Sequence, residues 1–537
     1  MRRQGTSGEA RGTDETWSHD SAPGPVQLWL AAVLGAVVVL GAAVDLAPAL
    51  GVLFGARAPA LAWPWAILPV VVAVLLLSRL PAGPLRRVLR AGIWVAFWIA
   101  LPAALGASLG GASGRNASWL VLVGAVEVVL AILVYRALRD AELRRRDPLA
   151  LSLGRLPGIL GDRLLLRGAD RFLHMTVLGP TGSGKTQSVL LPSVRQDLER
   201  GAGVTVVDPK GDLAARVERE CERLGRPFAL LRPGDPRSGR LNPLAGPPAE
   251  AAETVVYAFD RAFPGDHPFY RPLGQNLLRF STRALVEVEP GAGLDDLSRF
   301  LQDDQRRLEV LVRVEDDTVR RYFRDVFATW PARLRAEYTA GVVNALLALL
   351  GQPELAELFR PPATIDLEAH MASSGVLVAD LPVGRLGAAS PLAGALLLAA
   401  LQRIALGRPE SAPAHFLYVD EFGTFAPAGF GEFLEMARSR RVGAILAHQH
   451  LAQLPPALRA AAEANARSRI VLGGVSPDDG AAIARLAAGG GRGDDGLMRA
   501  IRQLPRGEAV VLRVDKGQAK PPARLLLPRP PRPAADA

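Results

Sequence analysis

The sequence predicts an α/β fold: a parallel sheet with helices on both faces, interrupted by an all-α insertion and preceded by a bundle of four transmembrane helices. Three observations carry that prediction. Short apolar runs alternate with amphipathic segments from residue 173 onward. A glycine-rich loop, Gly179-Pro180-Thr181-Gly182-Ser183-Gly184-Lys185-Thr186, lies between one such run and a helical pattern. Four long apolar stretches come before that loop.

The apolar stretches are residues 26–46, 63–77, 91–109 and 118–138, behind a polar tail of residues 1–25. A helical span takes about 20 apolar residues, so three fit readily and the second must extend to Leu80. A leader this polar, followed by several apolar runs, is not a cleaved signal. Arginine sets the orientation. Arg79, Arg86, Arg87 and Arg90 lie between spans two and three, and Arg139, Arg144, Arg145 and Arg146 follow span four. The other two loops hold only Arg57 and Arg115. The basic loops belong in the cytoplasm, so both termini lie inside a plasma (inner) membrane crossed four times. Asp45 ends span one and reaches the interface. Glu127 sits mid-span, where a charge is costly, and is read as a polar contact between helices, with a functional role the alternative.

Beyond residue 139 the chain reads as a nucleotide-binding domain in two parts, 139–250 and 363–516, around a helical insertion at 251–362. Strands are expected at 173–178, 204–207, 228–231, 376–379, 415–419, 442–447, 470–472 and 509–514. Strands alternating with helices imply a covered parallel sheet. In the insertion Leu277, Leu278, Ala284 and Leu285, then Leu294, Leu297 and Leu301, then Val343, Leu346, Leu347 and Leu350 recur at helical spacing. Residues 517–537 are expected to be a disordered tail, since 521–537 hold six prolines and no acid before Asp536.

Arginine carries nearly all the positive charge: of 63 Lys+Arg only four are lysine, at 185, 210, 516 and 520. Two of the four fall in phosphate-type motifs, the glycine-rich loop and Val207-Asp208-Pro209-Lys210-Gly211. Lysine is a compact point charge that reaches along a phosphate chain from a tight loop, which planar arginine does not. The glycine-rich loop is a P-loop, or Walker A motif. Its backbone N–H groups cradle phosphates at a helix N-terminus, Lys185 reaches the β/γ-phosphates and Thr186 ligates Mg²⁺. The run His415-Phe-Leu-Tyr-Val-Asp420-Glu421 completes it as Walker B, with Asp420 on the metal and Glu421 orienting the attacking water. These residues point to binding and hydrolysis of ATP with Mg²⁺; Asp208 and Lys210 are further candidates for nucleotide contact. The single cysteine, Cys221, excludes an internal disulfide and a Cys-based zinc site, and reads as an inert part of a helix. No Asn-Lys-x-Asp base reader of a GTPase and no signature of an ABC transporter is present. His448 and His450 flank Gln449 but lack a third ligand for a metal. A net charge of +10 and pI of 10.3 suit an anionic partner, nucleic acid or lipid headgroups.

Asp208-Pro-Lys-Gly-Asp212, Leu241-Asn242-Pro243-Leu244, Asp420-Glu421-Phe422 and the run Arg438 to Leu454 follow the P-loop in that order. This combination resembles the TraG/TraD-type coupling proteins of conjugative type IV secretion, over roughly residues 173–514. The resemblance implies a membrane-anchored, hexameric, RecA-like ATPase that hands DNA and relaxase-type protein cargo to secretion-channel proteins. It also implies that Gln449 is the sensor beside Walker B and that Arg438 is an arginine finger acting on a neighbouring subunit's nucleotide. The chain departs from the family in having four spans with short external loops instead of two, and Asp212 where the family has glutamate. An FtsK/SpoIIIE-like DNA translocase is the second motor reading, and a nucleotide-assembled membrane receptor without motor activity is the reading from another class.

The topology has a direct check. In a Cys221→Ser background, single cysteines near Ala58 and Gly111 are expected to react with an impermeant thiol reagent added from outside, and one at Gly83 is not. Labelling at Gly83 would overturn the four-span arrangement.

Overall fold

The computed structural model describes residues 142, 145–158, 162–260, 270–489, 491 and 493–528. The polar tail, the four spans with Asp45 and Glu127, their basic loops through Arg144, and the segments 261–269 and 529–537 lie outside the described residues.

The strands in chain order are β1 (Leu151–Arg155), β2 (Arg163–Leu166), β3 (Met175–Leu178), β4 (Gly203–Asp208), β5 (Ala229–Leu231), β6 (Val376–Asp380), β7 (His415–Val419), β8 (Val442–His448), β9 (Ser468–Leu472), β10 (Glu508–Asp515) and β11 (Gln518–Leu526). They form one sheet in the order β2-β1-β11-β10-β9-β3-β8-β7-β4-β6-β5. From β9 to β5 every pairing is parallel. The eight expected strands are all there. In β3, β4, β6, β7 and β8 every residue is buried, as continuous apolar runs must be when helices cover both faces.

The sheet differs from the expected all-parallel one at its far end. The pairs β9–β10, β10–β11, β11–β1 and β1–β2 are antiparallel, so the sheet is mixed. β1 and β2 were not anticipated, because their four or five residues alternate only weakly between buried and exposed. The expected tail at 517–537 is corrected over Gln518–Leu526, which is strand β11. Lys516 (φ 53°) and Gly517 (φ 76°) make a two-residue turn of the mirror-image kind that suits strand twist, with Asp515 opposite Gln518. The prolines that argued against a strand, Pro521 and Pro522, fall where the register slips between Val511 and Arg513, a bulge that needs no N–H from them. Most of β11 is exposed; backbone pairing to β10 and β1, with Leu525 buried, holds it.

The helices that matter for the site are α1 (Leu191–Glu199), entered through a π-turn at Lys185–Leu190, and α2 (Asp212–Leu224). The segment 251–362 has no strand among its described residues. It contains α3 (Pro248–Phe259), α4 (Tyr270–Val288), α5 (Leu294–Gln302) and α6 (Ala332–Leu350) with shorter helices between. Leu277, Leu278, Leu285, Leu294, Leu297 and Leu346 are fully buried, whereas Leu347 is 48% exposed. This helical core is continuous with one face of the sheet: Phe259 and Phe300 belong to the same cluster as Val207, Leu377 and Val419. The other face carries its own cluster, including Cys221 in α2. Burial pushes the Cys221 thiol up to about 11, in keeping with an inert packing role. One described helix, α7 (Ala389–Gly407), is long and apolar enough to cross a membrane, yet 78% of that stretch is buried against the protein core.

A buried ion pair ties α1 to the central strand. Arg171 donates to both carboxylate oxygens of Asp197 at 2.7 and 2.6 Å, and the Tyr418 hydroxyl donates to Asp197 at 2.5 Å. The Arg171 guanidinium lies 3.5 Å over the Phe416 ring.

Removing residues 518–537 is expected to expose the β10 edge, lower the melting temperature by several degrees and promote aggregation. Ending the chain after Pro528 should leave thermal unfolding unchanged. Equal melting curves for the two truncations would mean β11 contributes nothing to the sheet.

Candidate active site

Parallel pairing brings four loops to one edge of the sheet. The P-loop leaves β3, Asp420-Glu421 leaves β7, Lys210 follows β4 and Gln449 follows β8. In the P-loop, Gly182 and Gly184 have φ of 79° and 101°, a region that side chains enter only at a cost. A Cβ on Gly182 would meet open space, so the backbone there is accessible to a ligand. Lys185 is buried; its ammonium donates to the carbonyl oxygens of Gly179 at 2.6 Å and Pro180 at 3.4 Å. Burial lowers its pKa, opposed by the charges of Glu421 and Asp420. The Thr186 hydroxyl donates to Asp420 Oδ2 at 3.0 Å. The two Walker motifs, 235 residues apart in sequence, are therefore in direct contact.

Asp420 and Glu421 are both buried at the end of β7. Burial raises the pKa of Asp420, and the nearby charge of Asp208 adds to the rise. Glu421 goes the other way. Burial favours its acid form, but hydrogen bonds from Lys210 and Gln449 outweigh that and hold its carboxyl below the usual range. Its Oε1 accepts from Lys210 Nζ at 2.7 Å and Gln449 Nε2 at 2.8 Å, with Lys185 Nζ at 4.0 Å. Its Oε2 is buried with no hydrogen-bond partner. Glu421 also has φ of 46°, unusual for a residue with a side chain, and such strain concentrates at working sites.

Gln449 bridges the two motifs, since its Oε1 accepts from the Thr181 hydroxyl at 2.9 Å while its Nε2 holds Glu421. Asp208 does not turn to the P-loop. Its two oxygens accept from the backbone N–H groups of Lys210 (2.8 Å), Leu213 (2.8 Å) and Ala214 (3.0 Å), capping α2 and fixing the loop that carries Lys210. Asp208 is thus placed as the cap of α2 and the anchor of the loop that carries Lys210. Gly211 makes that loop possible: its φ is 86°, and a Cβ would come within 3.0 Å of Asp380. In the P-loop, Ser183 Oγ is buried without a hydrogen-bond partner among the described residues. Arg438 is exposed in the turn after α8 (Phe430–Met436), and its side chain makes no ion pair or hydrogen bond among the described residues. His448 is buried at the end of β8 whereas His450 is exposed, so the two histidines part.

Two positioning residues escaped the sequence reading. Gln453 Oε1 accepts from the Gln449 backbone N–H at 2.8 Å, and Asp479 accepts from the Leu451 N–H at 3.1 Å. The four-residue spacing of Gln449 and Gln453 was the available signal for the first; Asp479 had none.

The site suits a nucleotide's phosphates with Mg²⁺ on its own chemistry. Thr186 and Asp420 present two hard oxygens, as Mg²⁺ requires, and the unpartnered Glu421 Oε2 is an acceptor left for a water.

The chain is similar to several known proteins. Residues 141–266 match the family described as type IV secretory system conjugative DNA transfer. ATP-dependent RNA helicases named rok1 from Aspergillus oryzae and Aspergillus clavatus are each 33% identical, over 102 and 101 residues. Those matches span 16% of this chain and only 14% of either relative's length. Among solved structures, the bacterial conjugative coupling protein TrwBdeltaN70 in its unbound monoclinic form aligns with TM-score 0.51 and 18% identity, covering 72% of this chain and 91% of that one. The plasmid coupling protein TrwB in complex with ADP and Mg²⁺ aligns with TM-score 0.49 and 18% identity, covering 67% and 85%. VirB4 of Thermoanaerobacter pseudethanolicus aligns with TM-score 0.48 and 16% identity, covering 71% and 96%. By its family match over residues 141–266 and the fold it shares with TrwBdeltaN70, the chain resembles the type IV secretion coupling proteins.

Proposed function

We propose that this protein is a membrane-anchored ATPase that recruits DNA or DNA–protein substrates and drives them into a type IV secretion channel. The observation that carries the reading is the direct contact of the two Walker motifs, Thr186 with Asp420 and Lys185 beside Glu421, cross-linked by Gln449. Four predicted spans with both termini inside would hold the ATPase at the cytoplasmic face of the inner membrane. Its cargo would be DNA bound in a sequence-tolerant, salt-sensitive way, with a relaxase-type protein attached.

In this reading Lys185 and the P-loop amides bind the phosphates of ATP, and Thr186 and Asp420 hold Mg²⁺. When bound, the metal supplies positive charge against the phosphate oxygens. Glu421 orients a water through Oε2 and takes its proton, and Gln449 keeps Glu421 aligned with the P-loop. Arg438, exposed and without an acidic partner, is directed to a neighbouring subunit's nucleotide in a homo-hexamer.

Glu421→Gln is expected to bind ATP normally and lose turnover by about 10²-fold or more, the scale of general-base assistance. Lys185→Ala should weaken ATP binding itself, measured with a fluorescent analogue. Equal ATPase rates for Glu421→Gln and wild type would remove Glu421 from the chemistry.

Arg438→Ala should assemble and bind ATP but hydrolyse it poorly, since arginine fingers contribute about 10³–10⁵ in rate where isolated. Mixed with Lys185→Ala it should recover activity, because a mixed ring pairs an intact P-loop with an intact finger. A mixture as inactive as either variant, with mixed rings shown by pull-down, would end the trans assignment.

A further inference from the structure

One contact in the site opposes the task assigned to Glu421. A general base works by accepting a proton, and a carboxylate bound to an ammonium is a weaker base and a less mobile one. Lys210 Nζ stands 2.7 Å from Glu421 Oε1, whereas the P-loop lysine is 4.0 Å away. Of the two lysines, then, the one outside the P-loop holds the glutamate.

The arrangement is built. Asp208 fixes the Lys210 backbone N–H at 2.8 Å and caps α2 behind it, so the loop has little freedom to withdraw. Gln449 holds the same oxygen of Glu421 from the other side at 2.8 Å. Lys210 differs from its partner in exposure: its side chain is 46% exposed, that of Glu421 only 5%. A diffusing anion can therefore reach the ammonium without entering the buried part of the site. The electrostatics agree. Burial alone would lower the Lys210 pKa, yet its hydrogen bond and charge pairing with Glu421 raise it.

We propose that Lys210 is a restraining residue: it holds Glu421 in a low-activity arrangement until a phosphate oxyanion engages its exposed ammonium and frees the glutamate. This rests on the ATPase reading and adds regulation to the same site. Phosphate of that kind has two sources, the backbone of a nucleic-acid cargo and the terminal phosphate of the bound nucleotide. Lys210 acts through Glu421 and is a positioning residue, not a catalytic one.

The test is steady-state ATPase of the full-length protein in detergent, with and without a single-stranded oligonucleotide, for wild type, Lys210→Ala, Lys210→Arg and Glu421→Gln. Lys210→Ala is expected to raise the DNA-free rate several-fold with KM for ATP within about twofold of wild type, a change that loss of a purely structural contact would not produce. Lys210→Arg, which keeps a cation against Glu421, should stay restrained. If DNA stimulates wild type but no longer stimulates Lys210→Ala, the nucleic-acid backbone is the releasing anion. If Lys210→Ala keeps the full stimulation ratio on its raised baseline, the nucleotide's own phosphate releases the restraint. A Lys210→Ala rate equal to or below wild type, with and without DNA, would overturn the proposal while leaving the ATPase reading intact. Indistinguishable rates for wild type and Glu421→Gln would instead remove Glu421 from the chemistry and the restraint with it, and no hydrolysis above background by any of the four proteins would remove the ATPase reading.

Discussion

Parallel strand pairing is the constraint on which the site depends. A parallel register puts the carboxyl ends of neighbouring strands at one edge, so Leu178 lies beside His448, Val419 beside Leu446, and Val207 beside Val419. Each of these strands leads into a loop that carries one or two of the candidate site's side chains. Shift any register by two residues and Glu421, Gln449 or Lys210 moves about 7 Å along the strand direction, beyond hydrogen-bonding reach. The side chains meet because the backbone ladders align their loops.

Keeping the edge charged and buried is costly, and the site meets that cost by mutual compensation. Lys185, Lys210, Asp420 and Glu421 stand within one network, and Asp208 is satisfied by three backbone N–H groups. Leaving one buried charge unpaired costs about 3–5 kcal/mol, so substitutions here disturb folding as well as chemistry unless they preserve hydrogen bonding. The Arg171–Asp197 pair plays the corresponding role one layer away. Through Asp197, which also accepts from the Tyr418 hydroxyl, it joins the helix behind the P-loop to the strand that leads to Asp420.

The helical insertion is not a separate body. Its core merges with the sheet face formed by Val207, Leu377 and Val419. Strands β4, β6 and β7, which end at Asp208, Asp380 and Val419, thus pack directly against the insertion. The insertion and this face of the sheet therefore share one close-packed core, which deforms little.

Much of this was legible in the residues. The parallel strands announced themselves because burial on both faces demands apolar runs such as Val376-Leu-Val-Ala379. The P-loop, Asp420 and Glu421 were legible because their chemistry depends on residue type at fixed local spacing. Tertiary structure decided the rest. β11 carries two prolines and an exposed face, so only the β10 edge and a bulge make it a strand. That Asp208 caps α2 is a matter of loop geometry, which its place in the Asp-Pro-Lys-Gly motif did not announce. The pairing of Lys210 with Glu421 joins residues 211 positions apart, and Asp479 reaches Leu451 from another helix. Contacts of this kind are set by strand order and loop direction, which no local pattern encodes. The sequence by itself singled out the candidate residues; the fold decided which of them hold one another.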